Sequence, residues 1–287
     1  MPEFLITGAT GTVGSALTRL LARCGATIRA MSRNPNPDSP SGVEGFAGDL
    51  SDPAAVADAV EGVQRVFLLT GGPEGPHQDR VMADAVTAAG VNHLVKLSVL
   101  GLTEGAEDIL TGWHRDGEAA IRAAGVPANF LRPGAFMSNT VNWAPTIASD
   151  RTVYAPLGDL PVACIDPLDI ATVACHLLTE PGPAGQAYPL TGPDAITPRE
   201  QAATLAELIG HPITFVETSP EQARKTMVSY GMPDLLADAV IASMTGPLHG
   251  HGQTPMPTVE QVTGVPARNY RTWAAAHLDA FTAPAAW

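Results

Sequence analysis

"FLITGATGTVGSALTRLL", Phe4 to Leu21, is the stretch that decides the fold. Phe4–Thr7 is a short apolar run and reads as a strand. From Val13 to Cys24 the apolar residues Val13, Leu17, Leu20, Leu21 and Cys24 fall on one side at helical spacing. Between the two lie Gly8, Gly11 and Gly14, a GxxGxxG pattern with one residue more between the first two glycines than the dinucleotide fingerprint GxGxxG. Each glycine has a physical task there. The first serves a tight turn after the strand, the second lets a pyrophosphate approach the backbone, and the third lets helix and sheet pack closely. The N–H groups of Gly11, Thr12 and Val13, with Thr10 in the same loop, are expected to face phosphate at the helix N-terminus.

Outward from this loop, strand and helix signals alternate. Strands are expected at Thr27–Met31, Arg65–Thr70, Leu94–Ser98 and Asn129–Arg132, with helices after Ser51, over His77–Ala89 and over Gly112–Ala124. Ser51 stands as the N-cap of "DPAAVADAV". Strands separated by helices of this length imply parallel βαβ units with right-handed crossovers. The order weakens after Pro133. "IDPLDIATVACHLL" (Ile165–Leu178) is a helix that packs back on the sheet, and "GQAYPLTG" is a late strand. Thr197–Ile209 is a helix with a capping box in "TPRE"; Ser219–Met244 holds two helical patterns broken by "GMP", and Tyr270–Phe281 is helical. The expected fold is α/β: a Rossmann-type doubly wound parallel sheet with a smaller, mainly helical C-terminal lobe. Residues 1–150 form the nucleotide-binding core, helix 166–179 packs back on it, and residues 151–287 form a substrate-binding lobe.

Composition narrows the function classes. The 287 residues carry a net charge of −13, which opposes binding to nucleic acid. No apolar run is long enough for a membrane span, and residues 1–6 enter the first strand without a charged leader region. Cys24, Cys164 and Cys175 show no metal spacing and suit reduced thiols in a cytoplasm. "LHGHG" places His249 and His251 in a glycine-rich loop with no carboxylate or cysteine beside them, so no metal site is expected and the segment reads as a mobile loop over a substrate. Trp143, Trp273 and Trp287 read as packing or surface anchors.

The end of the second strand selects the nucleotide. An acid there accepts from a ribose 2′-OH in NAD sites; this chain has "AMSRNPNP", with Ser32 and Arg33 and no acid. A guanidinium suits a 2′-phosphate, so NADPH is expected in preference to NAD. In "GDLSD", Asp49 and Leu50 are placed at the adenine, and for Asp49 a turn or cap role is an equal reading. Thr70, Gly71 and Gly72 end the next strand, where small residues let a nicotinamide ribose approach.

These motifs together resemble the NmrA-like group of atypical short-chain dehydrogenase/reductases. The resemblance rests on "TGATGTVG", "SRNP", "GDLSDP", "VNHLVKLSVLG", "WHRDGEAAIRAAGVPANFLRPGAFMSN" and "IDPLDIATVA", and again on "VTGVPARNYRTWAAAHLDAF". It implies either an NADPH-dependent reductase of quinone or isoflavone type or a regulator that binds the cofactor without turnover. A cofactor-retaining isomerase or epimerase is a third reading. The usual proton donor, a Tyr with a Lys four residues on, is missing: no lysine follows Tyr154, Tyr188, Tyr230 or Tyr270 at that offset. Candidates for chemistry are therefore Ser98, Lys96 and His114. Ser98, at a strand end, matches the family's serine beside the nicotinamide or caps local backbone. Lys96, two residues earlier and on the same strand face, either pairs with a carboxylate or reaches the cofactor ribose. His114 occupies the nearest match to the helix position that carries catalytic groups in the family; it titrates near neutrality, or forms a helix-fixing pair with Glu118 one turn on. Pro133 to Phe136, followed by Asn139, are placed by the resemblance along the nicotinamide, and Arg132 reads as structural. The expected activity is hydride transfer from NADPH to a small apolar or aromatic acceptor such as a quinone or enone. A small-molecule substrate is the expected partner, with a homodimer as an option and neither nucleic acid nor membrane.

Overall fold

The chain was described from a computed structural model covering residues 2–36, 39–180, 182–246 and 252–282. The first half runs β1 (Phe4–Thr7), α1 (Thr12–Arg23), β2 (Ile28–Ser32), β3 (Val43–Ala47), α2 (Pro53–Val60), β4 (Arg65–Leu69), α3 (Gly75–Ala89), β5 (His93–Leu97), α4 (Gly101–Glu104), α5 (Ile109–Ala123) and β6 (Ala128–Pro133). After a 3₁₀ segment at Met137–Trp143 come α6 (Ala144–Asp150), β7 (Thr152–Ala155), α7 (Pro167–Thr179), β8 (Ala187–Leu190), α8 (Pro198–Ile209), β9 (Thr214–Glu217), α9 (Pro220–Ser229), α10 (Asp234–Thr245), α11 (Thr258–Thr263), α12 (Tyr270–Ala276) and α13 (Asp279–Thr282).

Seven strands form one parallel sheet in the order β3-β2-β1-β4-β5-β6-β8. The order reverses direction between β1 and β4, and open sheets of this kind bind ligands at such a switch point. Strand alternation separates two cores. Phe4, Ile6, Ile28, Phe67, Val95 and Leu131 face α1 and α7; Leu5, Met31, Val66, Leu68, Leu94 and Phe130 face α2, α3 and α5. Each such fully buried side chain contributes about 1.5–3 kcal/mol. At the switch point Leu69 N–H donates to Thr7 Oγ1 (2.8 Å), so a side chain fills the gap where the ladder diverges.

The strand β3 is absent from the sequence reading. It lies at the sheet edge, and "VEGFA" is half exposed with a glycine at its centre, so it carries neither a strong apolar alternation nor a strand-forming composition. The connection from β2 to β3 is short and, among its described residues, holds no helix. Ser51 is not the cap of α2: Asp52 is, accepting from Ala54 N–H with Pro53 in the first turn. Two elements beyond residue 150 belong to the main layers. Helix α7 packs on α1's side of the sheet, and β8 pairs with β6 as the edge strand. The chain thus leaves the sheet at Pro133, builds part of a second lobe and returns. That lobe has its own core around Trp273, Tyr270, Phe281 and Val153, with Trp143 packed against it; α8 carries the expected capping box of Thr197 and Glu200. Among the described residues no helix is long and apolar enough to cross a membrane. His249, His251 and Trp287 lie outside the described residues.

Candidate active site

The loop between β1 and α1 is a cradle whose geometry depends on two of its glycines. Gly8 takes φ 60°, a left-handed conformation that glycine adopts without strain. A Cβ on Gly14 would sit 2.2 Å from Gly8 O, so only a missing side chain allows α1 to start this close to the turn. One expectation is corrected. Gly11 N–H donates to Gly8 O (2.9 Å) and closes the turn, so it does not face outward. The N–H groups of Thr12, Val13 and Gly14, in the first turn of α1, have no protein acceptor among the described residues. Helix starts leave such donors free, and they attract an anion. Thr10 and Gly11 are exposed above them.

Next to the cradle, Ala9 N–H donates to Met31 O (3.2 Å), tying the loop to the end of β2. There Ser32 Oγ is buried without a hydrogen-bond partner, and Arg33 is exposed with no ion pair among the described residues. An orphaned hydroxyl beside a free guanidinium fits a phosphate monoester. Asp49 is exposed at the end of β3; one carboxylate oxygen accepts from Ser51 N–H (2.8 Å) in a turn, and Leu50 is half-buried against the α2 and α3 core. The residues present thus fit a dinucleotide carrying a 2′-phosphate. On the far side of the switch point Gly71 has nothing near where a Cβ would stand, leaving open space over the end of β4.

The polar residues at the ends of β4, β5 and β6 are bound to two carboxylates. Lys96 is fully enclosed, and its ammonium donates to Asp79 Oδ1 (2.9 Å) and to Thr70 Oγ1 (2.8 Å). Thr70 in turn donates to the same Asp79 oxygen (2.8 Å). Burial pushes the Lys96 pKa down and Asp79 opposes it. Ser98 donates to Glu118 Oε1 (2.7 Å), and Arg132 grips both oxygens of Glu118 through Nε (2.9 Å) and Nη2 (2.8 Å). Burial alone raises the Glu118 pKa, but the bonds from Arg132 and Ser98 outweigh it and the carboxylate stays ionised below its usual range. A Cβ on Gly117 would fall 1.8 Å from Asp79 Oδ2, so this glycine admits the Asp79 carboxylate between α3 and α5.

This changes the roles of three expected catalytic residues. Lys96 does not reach an open surface; it supports Thr70 from below. Ser98 has its donor committed to Glu118. His114 is half-buried and makes no bond to Glu118, whose oxygens are taken, and it does not titrate near neutrality. Burial and, next, the charge of Lys96 lower its pKa to about 3. It is therefore a neutral imidazole at physiological pH, able to donate one N–H but not to act as an imidazolium acid. A folded-state pKa below the unfolded value of about 6.5 means that the unfolded chain takes up a proton first as pH falls. Stability contributed by the neutral ring is complete above pH 6.5 and declines as pH drops toward 3. Urea unfolding at pH 7.5 and pH 5 is expected to show a larger loss for the wild type than for His114→Gln; equal losses would remove this assignment.

An apolar cleft of about 320 Å³ lies beyond the ends of β5 and β6. Its walls are Val99, Leu100 and Leu110, then Pro133, Gly134 and Ala135, with Pro156, Leu157, Leu160, Val162, Val240 and Met244 from the second lobe; Asn139 and Ser243 are its polar members, and Pro198 closes one edge. Leu157 holds φ 55°, an unusual backbone for a leucine, and so presents its side chain within the wall. Leu110 is one helical turn before His114 on α5 and hence on the same face. Phe136 is turned partly into the α1–α7 core, and its backbone bridges to Ile165, so it anchors the loop after β6. Sequence reading missed Asp79 as the partner of Lys96, and the lobe residues from Pro156 to Val162. The one signal for the first was a lysine in a central strand, which demands a buried acid somewhere.

Three comparisons bear on this arrangement. The family model described as the NmrA-like family matches residues 3–274. The (4-alkanoyl-5-oxo-2,5-dihydrofuran-3-yl)methyl phosphate reductase of Streptomyces griseus is 44% identical over 280 residues, covering 96% of this chain and 98% of that protein. The NAD(P)H azoreductase of Xenophilus azovorans is 37% identical over 287 residues, covering 97% and 99%. Among solved structures, the NADPH-dependent quinone oxidoreductase of Escherichia coli complexed with NADPH superposes with a TM-score of 0.81 at 26% identity, covering 96% of this chain and 99% of that one.

Proposed function

This chain belongs to the NmrA-like family, and from that premise we propose that it is an NADPH-dependent reductase of small, largely apolar or aromatic acceptors, with quinones and enones as the leading class. The observation that carries the reading is the alignment of open features along one sheet edge. Following the strand order, Ser32 and Arg33 end β2, the free N–H groups follow β1, Gly71 follows β4, and the apolar cleft opens after β5 and β6. Adjacent strands are about 4.8 Å apart, so β2 to β5 spans roughly 14 Å, the scale of an extended dinucleotide. The reductase names of the relatives and the NADPH in the quinone oxidoreductase structure support the same cofactor and reaction class.

When bound, NADPH supplies a hydride at the nicotinamide. The chain's own residues do the rest. Thr12 and Val13 N–H groups hold the pyrophosphate charge, and Arg33 with Ser32 holds the 2′-phosphate. Thr70, braced by Lys96 and Asp79, fixes the loop at Gly71. Ser98 and Arg132, both locked on Glu118, keep the ends of β5 and β6 in register so that Leu100 and Pro133 form a rigid floor. The apolar walls exclude water and favour an acceptor with a largely apolar body. The reduced acceptor's negative charge is delocalised in a quinone or enone, and it takes its proton from solvent while Asn139, Ser243 or the neutral His114 N–H orients its oxygen. A strong dedicated acid is not needed for this class, which accounts for a cleft with no Tyr–Lys pair. The net charge of −13 supports a small-molecule partner over a polyanion.

The test is NADPH oxidation by the purified protein with a panel of benzo- and naphthoquinones, cyclic enones, azo compounds and simple ketones. Turnover is expected with quinones or enones and weak or none with simple ketones, whose alkoxide needs an acid. Tight NADPH binding with no turnover on the whole panel would overturn the reductase reading in favour of a cofactor sensor.

A further inference from the structure

Beside the glycine cradle, on the α1 side of the sheet, lies a second cleft of about 220 Å³. Its origin is topological. A parallel β-crossover usually carries a helix that covers the strands it joins. The β2–β3 connection holds none among its described residues, and Ala30 and Ser32 of β2 and Gly45 of β3 share the cleft with Pro35, Asn36 and Ser39 of that loop. The opposite wall is α1, which contributes Ser15, Thr18 and Arg19. These helix residues share one face at i, i+3 and i+4 spacing.

Eight arginines hold carboxylates: Arg29, Arg65, Arg122, Arg132, Arg199, Arg224, Arg268 and Arg271. The other six of the 14 arginines, Arg19, Arg23, Arg33, Arg80, Arg115 and Arg151, hold none among the described residues. Of these, Arg19 lines the cleft from α1, and Arg33 directly follows Ser32, which lines it from the end of β2. Ser32 Oγ is buried and has no hydrogen-bond partner among the described residues. A guanidinium in the cleft wall, a second one next to Ser32 in the chain, and the orphaned Ser32 hydroxyl suit a multiply charged anion.

We propose that Arg19 is a second anchor for the ribose 2′-phosphate, so that preference for the phosphorylated cofactor is set by a two-sided clamp, Arg33 from the strand end and Arg19 from α1, together with Ser32. The inference rests on the reading of NADPH as cofactor and adds a determinant outside the strand-end motif. A phosphate monoester carries close to two negative charges at pH 7, so one guanidinium leaves it half neutralised and a second gains a charge-assisted bond of its own. An NAD-type ribose offers either arginine a neutral hydroxyl in place of a dianion, so Arg19 acts mainly on selectivity and little on binding of the rest of the molecule.

Isothermal titration calorimetry with NADP⁺, NAD⁺, 2′,5′-ADP and 5′-AMP tests this without turnover. Arg19→Gln is expected to weaken NADP⁺ and 2′,5′-ADP by roughly tenfold, as for loss of one charge-assisted bond, with NAD⁺ and 5′-AMP changed less than about twofold. Arg19→Lys, which keeps the charge but loses the planar fork, is expected to fall between. Melting temperatures of the ligand-free variants should match the wild type, since Arg19 is exposed. The inference is overturned if Arg19→Gln binds NADP⁺ as the wild type does, or weakens NADP⁺ and NAD⁺ equally. If the wild type itself fails to prefer NADP⁺ over NAD⁺ while Arg33→Gln is silent, the cofactor reading fails first and takes this one with it.

Discussion

Asp79→Ala is expected to destabilise the protein by about 3–5 kcal/mol, the usual cost of stripping one partner from a buried ion pair. Lys96 is fully enclosed and Asp79 only 1% exposed, so the stranded ammonium has no route to water. Thr70 loses its acceptor at the same time. For a chain of this size each kcal/mol moves the melting temperature by about 2–4 °C, and a drop of roughly 10 °C is expected by calorimetry. The paired replacement Lys96→Met with Asp79→Leu removes both charges and fills similar volume; it is expected to recover most of that loss. A single-variant cost below about 1 kcal/mol would mean that the pair does not hold α3 to the sheet. The ion pair is thus weak evidence for net stability, but strong evidence for position. It specifies where α3 sits and where Thr70 points.

Gly14→Ala is expected to act on both folding and ligand binding. The new Cβ would meet Gly8 O at 2.2 Å and Gly8 C at 2.8 Å, both backbone atoms with little room to give. Helix α1 must shift outward, at a cost of about 1–3 kcal/mol for overpacking, and the free N–H groups of Thr12 and Val13 move with it. NADPH affinity followed by nucleotide fluorescence is expected to fall by about a hundredfold, equivalent to ~2.7 kcal/mol. Gly11→Ala separates the two effects. Its Cβ meets only Gly8 O, at 3.2 Å, and otherwise projects into open space. That variant should fold with near-normal stability yet bind poorly, because the methyl occupies the ground where the pyrophosphate approaches. Wild-type affinity in Gly14→Ala would show that the cradle does not take the cofactor phosphates.

The parts of the molecule that were legible beforehand are those fixed by local rules. Phe4 to Leu21 announces strand, turn and helix through apolar spacing and three glycines. "TPRE" announces a capping box through two side chains three residues apart. What was not legible depends on contacts distant in the chain. Asp79 lies 17 residues before Lys96 on a helix whose pattern shows only that it is amphipathic, and nothing local marks it as the carboxylate that Lys96 requires. Glu118 and His114 stand at ideal helical spacing, yet strand ends supplied Ser98 and Arg132 as stronger partners for the glutamate. The edge strand β3 gains its structure from β2, not from its own composition. The walls of the apolar cleft come from segments that meet only after the chain has returned to the sheet at β8, so no window of sequence contains them together.

The connection between β2 and β3, without a helix among its described residues, has a consequence for how such a protein can change over generations. The residues assigned to the 2′-phosphate, Arg19, Ser32 and Arg33, sit outside both apolar cores. Substituting them disturbs little packing, so coenzyme choice can drift by single mutations while the fold stays above its stability threshold. The glycine at position 14 allows no such freedom, since the same atom positions that admit the nucleotide also set the helix against the sheet. One molecule therefore holds an inherited, nearly immovable half of its cofactor site beside a half that selection can rewrite.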